Sequence, residues 1–273
     1  MFAVSYRPPT EIQLVAFTEE IVDVGGTKVH TLKGGSGEPL LVLHGAGGNN
    51  GWLKSIDALA EKYTVYYPSH PGYGESERPD WLETIPDMAA FYTWYLETLG
   101  LEGIRAVGFS MGGWIASEIA ATCGHSFSKL MLVGSVGIKP NVGEIADLFI
   151  ISPAQVLDLM FHDPSQAPEY QAVYGREFTP EEMMVAEGNR EMAVRLCWKP
   201  YMHDARLTSL LARVNIPTRM VWGKNDQIVP VECGEMFNKA IKGSDLVVVD
   251  NCGHSPQVEK PDEFIKTALD FLA

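Results

Sequence analysis

Short apolar runs alternate with stretches of helical repeat along most of this chain. Six runs stand out: PLLVL (39–43), YTVYYP (63–68), IRAVGF (104–109), KLMLVG (129–134), TRMVWG (218–223) and DLVVVD (245–250). Each is short, partly β-branched and apolar at successive positions, the composition of a strand covered on both faces in a parallel sheet. Between the second and third runs, Met88, Phe91, Tyr92, Tyr95, Leu96 and Leu99 recur at three- and four-residue spacings. This predicts a helix with Thr84 as N-cap and Gly100 as its stop. Phe264, Ile265, Ala268, Leu269 and Leu272 repeat the pattern near the C-terminus.

Strand-helix alternation requires right-handed crossovers, so the pattern predicts an α/β fold with a doubly wound, mostly parallel sheet. The stretch GGTKVHTLKGGSGEP adds an antiparallel hairpin ahead of it. From Ile138 to Ala205 the strand signals disappear, and Met160, Met184, Met192 and Trp198 fall among acidic, helical stretches. A helical insertion over one end of the sheet is expected, dividing the chain into a first core part (1–137), a cap (138–205) and a second core part (206–273). Met and aromatic side chains suit irregular apolar surfaces, which makes Met160, Met184 and Trp198 candidates for a substrate pocket shared with Gly45 and Phe109.

Composition narrows the function. The 273 residues are 46% hydrophobic and 21% charged, enough to bury one large core. A formal net charge of −14 argues against a nucleic-acid partner, because neutralising phosphates needs clustered Lys and Arg. The N-terminal MFAVSYRPPTEIQLVAF lacks the basic start and apolar run of a secretory signal, and no stretch approaches the roughly 18 apolar residues of a membrane helix. A cytoplasmic protein with no membrane partner is expected. Cys123, Cys197, Cys233 and Cys252 are scattered without a CxxC pair, so reduced, structural thiols and no metal site are expected.

The candidate chemistry centres on GFSMGG (108–113). A serine hydroxyl is a poor nucleophile at neutral pH and needs a base, an acid to orient that base, and donors for the developing oxyanion. Gly108, Ser110 and Gly112 have the G-x-S-x-G spacing of a nucleophile on a tight strand-to-helix turn, with IRAV as the strand and WIASEIA as the helix. His254, in NCGHSPQVEKP, follows the DLVVVD run and is the candidate base. Asp226, in WGKNDQIVP, also follows a strand and completes the chain order serine, acid, histidine; it is preferred to Asp250, which ends its own strand. The glycines of HGAGG (44–48) let backbone amides turn toward a bound oxygen, so the amides of Ala46 and Met111 are the candidate oxyanion donors. His44 and His70 are read as organisers of their loops. No Gly-Lys-Ser/Thr follows the glycine cluster, which excludes a phosphate loop.

HGAGG, HPGYGES, GFSMGG, WGKNDQIVP and CGHSPQVEKP, in that order, resemble the α/β-hydrolase superfamily from about Gly26 to the C-terminus. The resemblance implies an eight-stranded, mostly parallel sheet, a helical cap, and neither metal nor organic cofactor. Serine at 110 differs from the aspartate of haloalkane dehalogenases and epoxide hydrolases. HGAGGNNGW and CGHSPQVEKPDEF also resemble hydrolases that cleave carbon-carbon bonds in ring-fission products. Those enzymes usually place asparagine before the nucleophile, where this chain has Phe109, and use a cap arginine for the substrate carboxylate. Arg190 could fill that role, but a solvated helix charge is the preferred reading.

The expected function is a serine hydrolase of carboxylic esters or lactones, acyl-homoserine lactones among them, whose partners are a small-molecule substrate and water. Carbon-carbon hydrolysis is the alternative, and a ligand-binding receptor with little turnover is the alternative of another class. Acyl length, leaving group and oligomeric state are not encoded in any motif of the chain.

Overall fold

Each of the six apolar runs is a strand of one sheet in the computed structural model, which describes residues 15–273. Most of the N-terminal stretch read above for a signal lies outside the described residues. The strands are β1 (Phe17–Val24), β2 (Thr27–Gly34), β3 (Glu38–Leu43), β4 (Tyr63–Pro68), β5 (Ile104–Phe109), β6 (Phe127–Val133), β7 (Thr218–Gly223) and β8 (Asp245–Val249). The helices are α1 (Lys54–Ala60), α2 (Ile85–Thr98), α3 (Met111–Thr122), α4 (Pro153–Met160), α5 (Tyr170–Val173), α6 (Pro180–Cys197), α7 (Leu207–Leu210), α8 (Val231–Ala240), α9 (Pro256–Glu259) and α10 (Pro261–Leu272).

The strand order is β1-β2-β4-β3-β5-β6-β7-β8. β1, β2 and β4 pair antiparallel, and every pairing from β4 through β3 to β8 is parallel. The hairpin expected around residues 25–39 is β1-β2, its first strand lying ahead of that stretch; it is turned by Gly25 and Gly26 at φ 58° and 90°, the positive values that the primed two-residue turns require.

The runs are apolar at successive positions because both faces are covered. Leu41, Leu43, Leu130, Leu132 and Trp222 point into one core with α2, α3 and α8. Their neighbours Leu40, Val42, Met131, Val133 and Val221 point into the other with α1 and α10, as the two-residue period of a strand dictates. α2 starts with the reciprocal cap its sequence predicts: the Thr84 hydroxyl accepts from the Asp87 amide and the Asp87 carboxylate from the Thr84 amide. It stops where Gly100 takes φ 66°.

Between β6 and β7 the described elements are helical: α4, α5, α6 and α7, with two turns of tighter helix at Pro164–Gln166 and Leu211–Arg213. α6 lies against the loop that follows β3 through the Gly47 carbonyl, and α4 against the loop that follows β8 through the His254 amide. They therefore sit over the carboxyl ends of the parallel strands, where ligands of open α/β sheets bind. Among the described residues no helix is long and apolar enough to cross a membrane.

Candidate active site

Ser110 stands between β5 and α3 at φ 50°, ψ −113°, a conformation that costs a non-glycine residue energy and persists only when its surroundings impose it. The surroundings are visible. The Ser110 amide donates to the Val133 carbonyl at 2.8 Å, and α3 passes so close to the sheet that side chains are excluded. A Cβ on Gly108 would stand 2.5 Å from the Gly112 carbonyl oxygen, and one on Gly112 would overlap the Leu43 carbonyl. The two glycines of G-x-S-x-G are thus required by contact between β5, α3 and the end of β3.

His254 reaches the same edge from the loop after β8. Its imidazole lies against Gly134, where a Cβ would stand 3.1 Å from Nδ1, and Gly134 directly follows the Val133 that accepts from Ser110. Nδ1–H of His254 donates to Asp226 Oδ2 at 2.8 Å, with the two side chains 8% and 0% exposed. The other Asp226 oxygen accepts from the amides of Ile228 and Val229 at 2.9 and 2.8 Å. Those two amides lock the carboxylate so that one oxygen remains to orient the imidazole, leaving Nε2 as the proton acceptor. Among the described residues no hydrogen bond joins Ser110 Oγ to His254, and such bonds commonly form only once substrate is bound. Asp250 is exposed and paired with Lys224 at 2.7 Å.

The loop after β3 faces Ser110 from the other side. A Cβ on Gly45 would stand 3.2 Å from the Ser110 Cβ. The amide of Gly48 donates to the Gly45 carbonyl at 3.2 Å, closing a turn over Ala46 and Gly47. Neither the Ala46 nor the Met111 amide donates to any group among the described residues. Two free amides flanking Ser110, one at the first turn of α3, can hold an anionic oxygen.

His44 and His70 brace this loop from behind, their rings 3.6 Å apart. His44 Nδ1–H donates to the Gly45 carbonyl at 2.7 Å, and its Nε2 accepts from the His70 amide at 2.9 Å. His70 Nε2–H donates to the His44 carbonyl at 2.9 Å, and its Nδ1 accepts from the Tyr92 hydroxyl at 2.6 Å. Every ring nitrogen is satisfied by the neutral form.

Burial pushes His44 down from 6.5 to about 4, and burial with repulsion from His44 holds His70 well below the usual range. Unfolded, both bind protons near 6.5. The stabilisation from keeping them neutral is therefore fully present above about pH 6.5 and is lost as pH falls toward 4. His44 alone accounts for a loss of about 2 kcal/mol between about pH 7.5 and pH 5. Urea unfolding of the parent and of His44→Gln across that interval measures it: the variant should lose less stability on acidification, and identical slopes would refute the assignment.

A family model described as alpha/beta hydrolase fold matches residues 38–261. The chain is an α/β-hydrolase. It is 24% identical to a 2-hydroxy-6-oxo-6-(2'-aminophenyl)hexa-2,4-dienoic acid hydrolase of Metapseudomonas resinovorans, over 94% of this chain and 92% of that one. It is 28% identical to a 2-hydroxy-6-oxononadienedioate/2-hydroxy-6-oxononatrienedioate hydrolase of Klebsiella pneumoniae, over 98% and 99%. The solved structure of a 2-hydroxy-6-oxo-6-phenylhexa-2,4-dienoate hydrolase from Rhodococcus sp. strain RHA1 shares its fold, with TM-score 0.77 and 24% identity over 94% of this chain and 99% of that one.

In this α/β-hydrolase, Gly45 and Phe109 border a void of about 30 Å³ that Tyr67, Asn50 and Gln257 also line. Met160 packs its half-buried side chain between the two cores, and its carbonyl accepts from the His254 amide at 2.7 Å. Met184 and Trp198 lie elsewhere, 76% and 56% exposed. α6 turns Asn189, Met192, Ala193 and Leu196 inward; at 3.6 residues per turn, Met184 lies roughly 140° and Trp198 roughly 180° round the helix from Asn189. The expectation that these two line the pocket is corrected on that ground. Arg190 is half-buried and its Nη2 donates to the carbonyls of Phe149 and Ile151 at 2.9 and 3.3 Å, which ties it to the backbone and corrects its reading as a solvated helix charge.

A cavity of about 270 Å³ opens beside the site, between α5–α6 and the β1-β2 edge, with Gly47, Asn50, Trp52, Gly74, Phe178 and Asn189 in its wall; neither Ser110 nor His254 lines it. Two positions the sequence reading passed over hold the loops together. Glu259, buried, accepts from the Gly253 amide at 2.6 Å and the Asp163 amide at 2.7 Å. Asn189 joins α6 to the loops after β3 and β4. The four cysteines are unpaired, and burial raises Cys197, Cys233 and Cys252, which suppresses the reactive thiolate.

Proposed function

We propose that this α/β-hydrolase is a serine hydrolase of carboxylic esters or lactones, acyl-homoserine lactones among them, working through an acyl-enzyme. The observation that carries the reading is the buried His254–Asp226 hydrogen bond at the strand edge where Ser110 is held in a strained turn. Ser110 Oγ attacks the carbonyl carbon while His254 Nε2 accepts its proton, and Asp226 holds the neutral tautomer and then offsets the imidazolium charge. The oxygen of the tetrahedral adduct takes hydrogen bonds from the Ala46 and Met111 amides. Collapse breaks the bond to the alkoxide, which leaves with the proton from His254. Water then attacks the acyl carbonyl, His254 accepts its proton, and departure of the acid restores the Ser110 hydroxyl. Segment 138–205 is read as the cap over this site.

Phe109 and Arg190 support ester chemistry. Phe109 puts an aromatic ring, packed on Phe264 at 5.8 Å, beside the nucleophile. Nη2 of Arg190 is committed to two backbone carbonyls, so a two-pronged grip on a substrate carboxylate through both terminal nitrogens would first break those bonds. The activities for which the relatives above are named favour a second reading, hydrolysis of a carbon-carbon bond in a hydroxy-oxo-dienoate.

A panel of p-nitrophenyl esters, lactones and a 2-hydroxy-6-oxo-dienoate separates the two. Higher kcat/KM on esters or lactones, unchanged within about threefold in Arg190→Ala, is expected. Higher kcat/KM on the dienoate, abolished in Arg190→Ala, would overturn the ester reading. Stoichiometric fluorophosphonate labelling without turnover would mark a receptor instead.

A further inference from the structure

Among the described residues, the side chain of α6 that hydrogen-bonds the loop carrying the Ala46 amide is Asn189. Asn189 is 7% exposed. Its Nδ2 donates to the Gly47 carbonyl at 3.1 Å, and its Oδ1 accepts from the Gly74 amide at 3.0 Å. A carbonyl on one side and an amide on the other fix which end of the side-chain amide is oxygen.

The contact is close-packed as well as hydrogen-bonded. A Cβ on Gly48, at φ 104°, would overlap the Asn189 amide, and a Cβ on Gly72, at φ 83°, would stand 2.7 Å from the sulfur of Met192, one turn further along α6. The two loops present bare backbone here because α6 occupies the space their side chains would need.

The Gly47 carbonyl and the Gly48 amide belong to one peptide plane, which does not twist. That plane does two things at once: its oxygen is held by Asn189, and its N–H closes the turn onto the Gly45 carbonyl. The free Ala46 amide lies inside that turn, so its direction follows from where the plane is held.

We infer that Asn189 is a positioning residue that makes the aim of the Ala46 amide depend on α6 being seated. The inference rests on the reading of Ser110 and the Ala46 amide as acyl acceptor and oxyanion donor. Asn189 touches no reacting atom. Through it, a substrate that keeps α6 down also keeps the oxyanion loop formed, and lifting α6 disarms the site without moving Ser110 or His254.

The informative variant is Asn189→Asp. It is isosteric and keeps an oxygen for the Gly74 amide, but it places a second oxygen against the Gly47 carbonyl, where a donor is needed. Misplacing one donor by an ångström suffices to slow acyl transfer by between about tenfold and a hundredfold. That loss is expected in kcat on a p-nitrophenyl ester, and in the rate of Ser110 labelling by a fluorophosphonate, with KM within about threefold.

Met192→Ala is the comparison, since it removes the thioether packed on Gly72 while leaving both Asn189 hydrogen bonds, and so the seat of α6 on the Gly47 loop, in place. It should lower the melting temperature and leave kcat within about threefold of the parent. Hydrogen exchange at the amides from Gly47 to Gly51 should rise in Asn189→Asp and stay low in Met192→Ala.

Parental kcat and parental exchange in Asn189→Asp would overturn the inference. So would equal losses of kcat in the two variants, which would mean that Asn189 merely helps hold α6 in place. A parent that is not labelled at Ser110 counts instead against the proposed function, and the exchange comparison then decides alone whether Asn189 holds the loop.

Discussion

Ser110→Ala is expected to lower kcat on a short p-nitrophenyl ester by about a millionfold, by analogy with triads dissected elsewhere. The size follows from what is removed. With no Oγ there is no acyl-enzyme and no serine proton for His254 to accept, and only binding and the Ala46 and Met111 amides remain to favour direct attack by water. The fold should survive, because alanine differs by one oxygen, and among the described residues Ser110 Oγ holds no part of the core together. Backbone strain at φ 50° is the same for alanine, so the melting temperature should stay within a few degrees. KM should change little for a substrate held mainly by its acyl part. Initial rates with enough enzyme to see the residual reaction measure the outcome, and a variant within tenfold of the parent would sink the mechanism.

Asp226→Asn is expected to cost about ten-thousandfold in kcat with the fold retained. Asparagine keeps an oxygen for the Ile228 and Val229 amides, which donate at 2.9 and 2.8 Å. Its side-chain amide nitrogen then faces His254 Nδ1 where the carboxylate accepted a hydrogen bond. The imidazole answers by putting its proton on Nε2, the nitrogen that must be free to take the proton from Ser110. Geometry survives and chemistry does not. Asp250→Asn is the matched control, because Asp250 is exposed and bonded to Lys224. It should stay within threefold of the parent. Full activity in Asp226→Asn, or loss in Asp250→Asn, would reverse the choice between the two acids.

Different kinds of information produced the legible and the illegible parts of this site. Gly108, Ser110 and Gly112 could be read because a tight strand-to-helix turn leaves a local mark: small residues two positions either side of the turn. His254 and Asp226 could be read because each follows an apolar run, and parallel strands deliver their carboxyl ends to one edge. The structure joins them at 2.8 Å across 28 residues of chain. Met184 and Trp198 failed as pocket residues because composition says that a helix is apolar, not which face it turns inward. α6 turns its Asn189, Met192 and Leu196 stripe toward the protein. A polar residue in that stripe was a signal the sequence held: an asparagine at an inward position must have partners, since a buried amide without them is costly. Its partners could not be named, because they are backbone groups of glycines.

By itself the sequence determined the strands, the hairpin, the first and last turns of α2, the elbow at Ser110 and the edge to which His254 and Asp226 belong. These follow from interactions between near neighbours, or from the alternation that covers both faces of a sheet. Only the tertiary structure decided that Arg190 is tied to the Phe149 and Ile151 carbonyls, that Glu259 links Gly253 to Asp163, and that Asn189 grips Gly47 across 142 residues. Each of these joins a side chain to backbone carbonyls or amides, which every residue type carries and no sequence pattern marks. Which of them meet depends on how the helices between β6 and β7 settle over the strand ends.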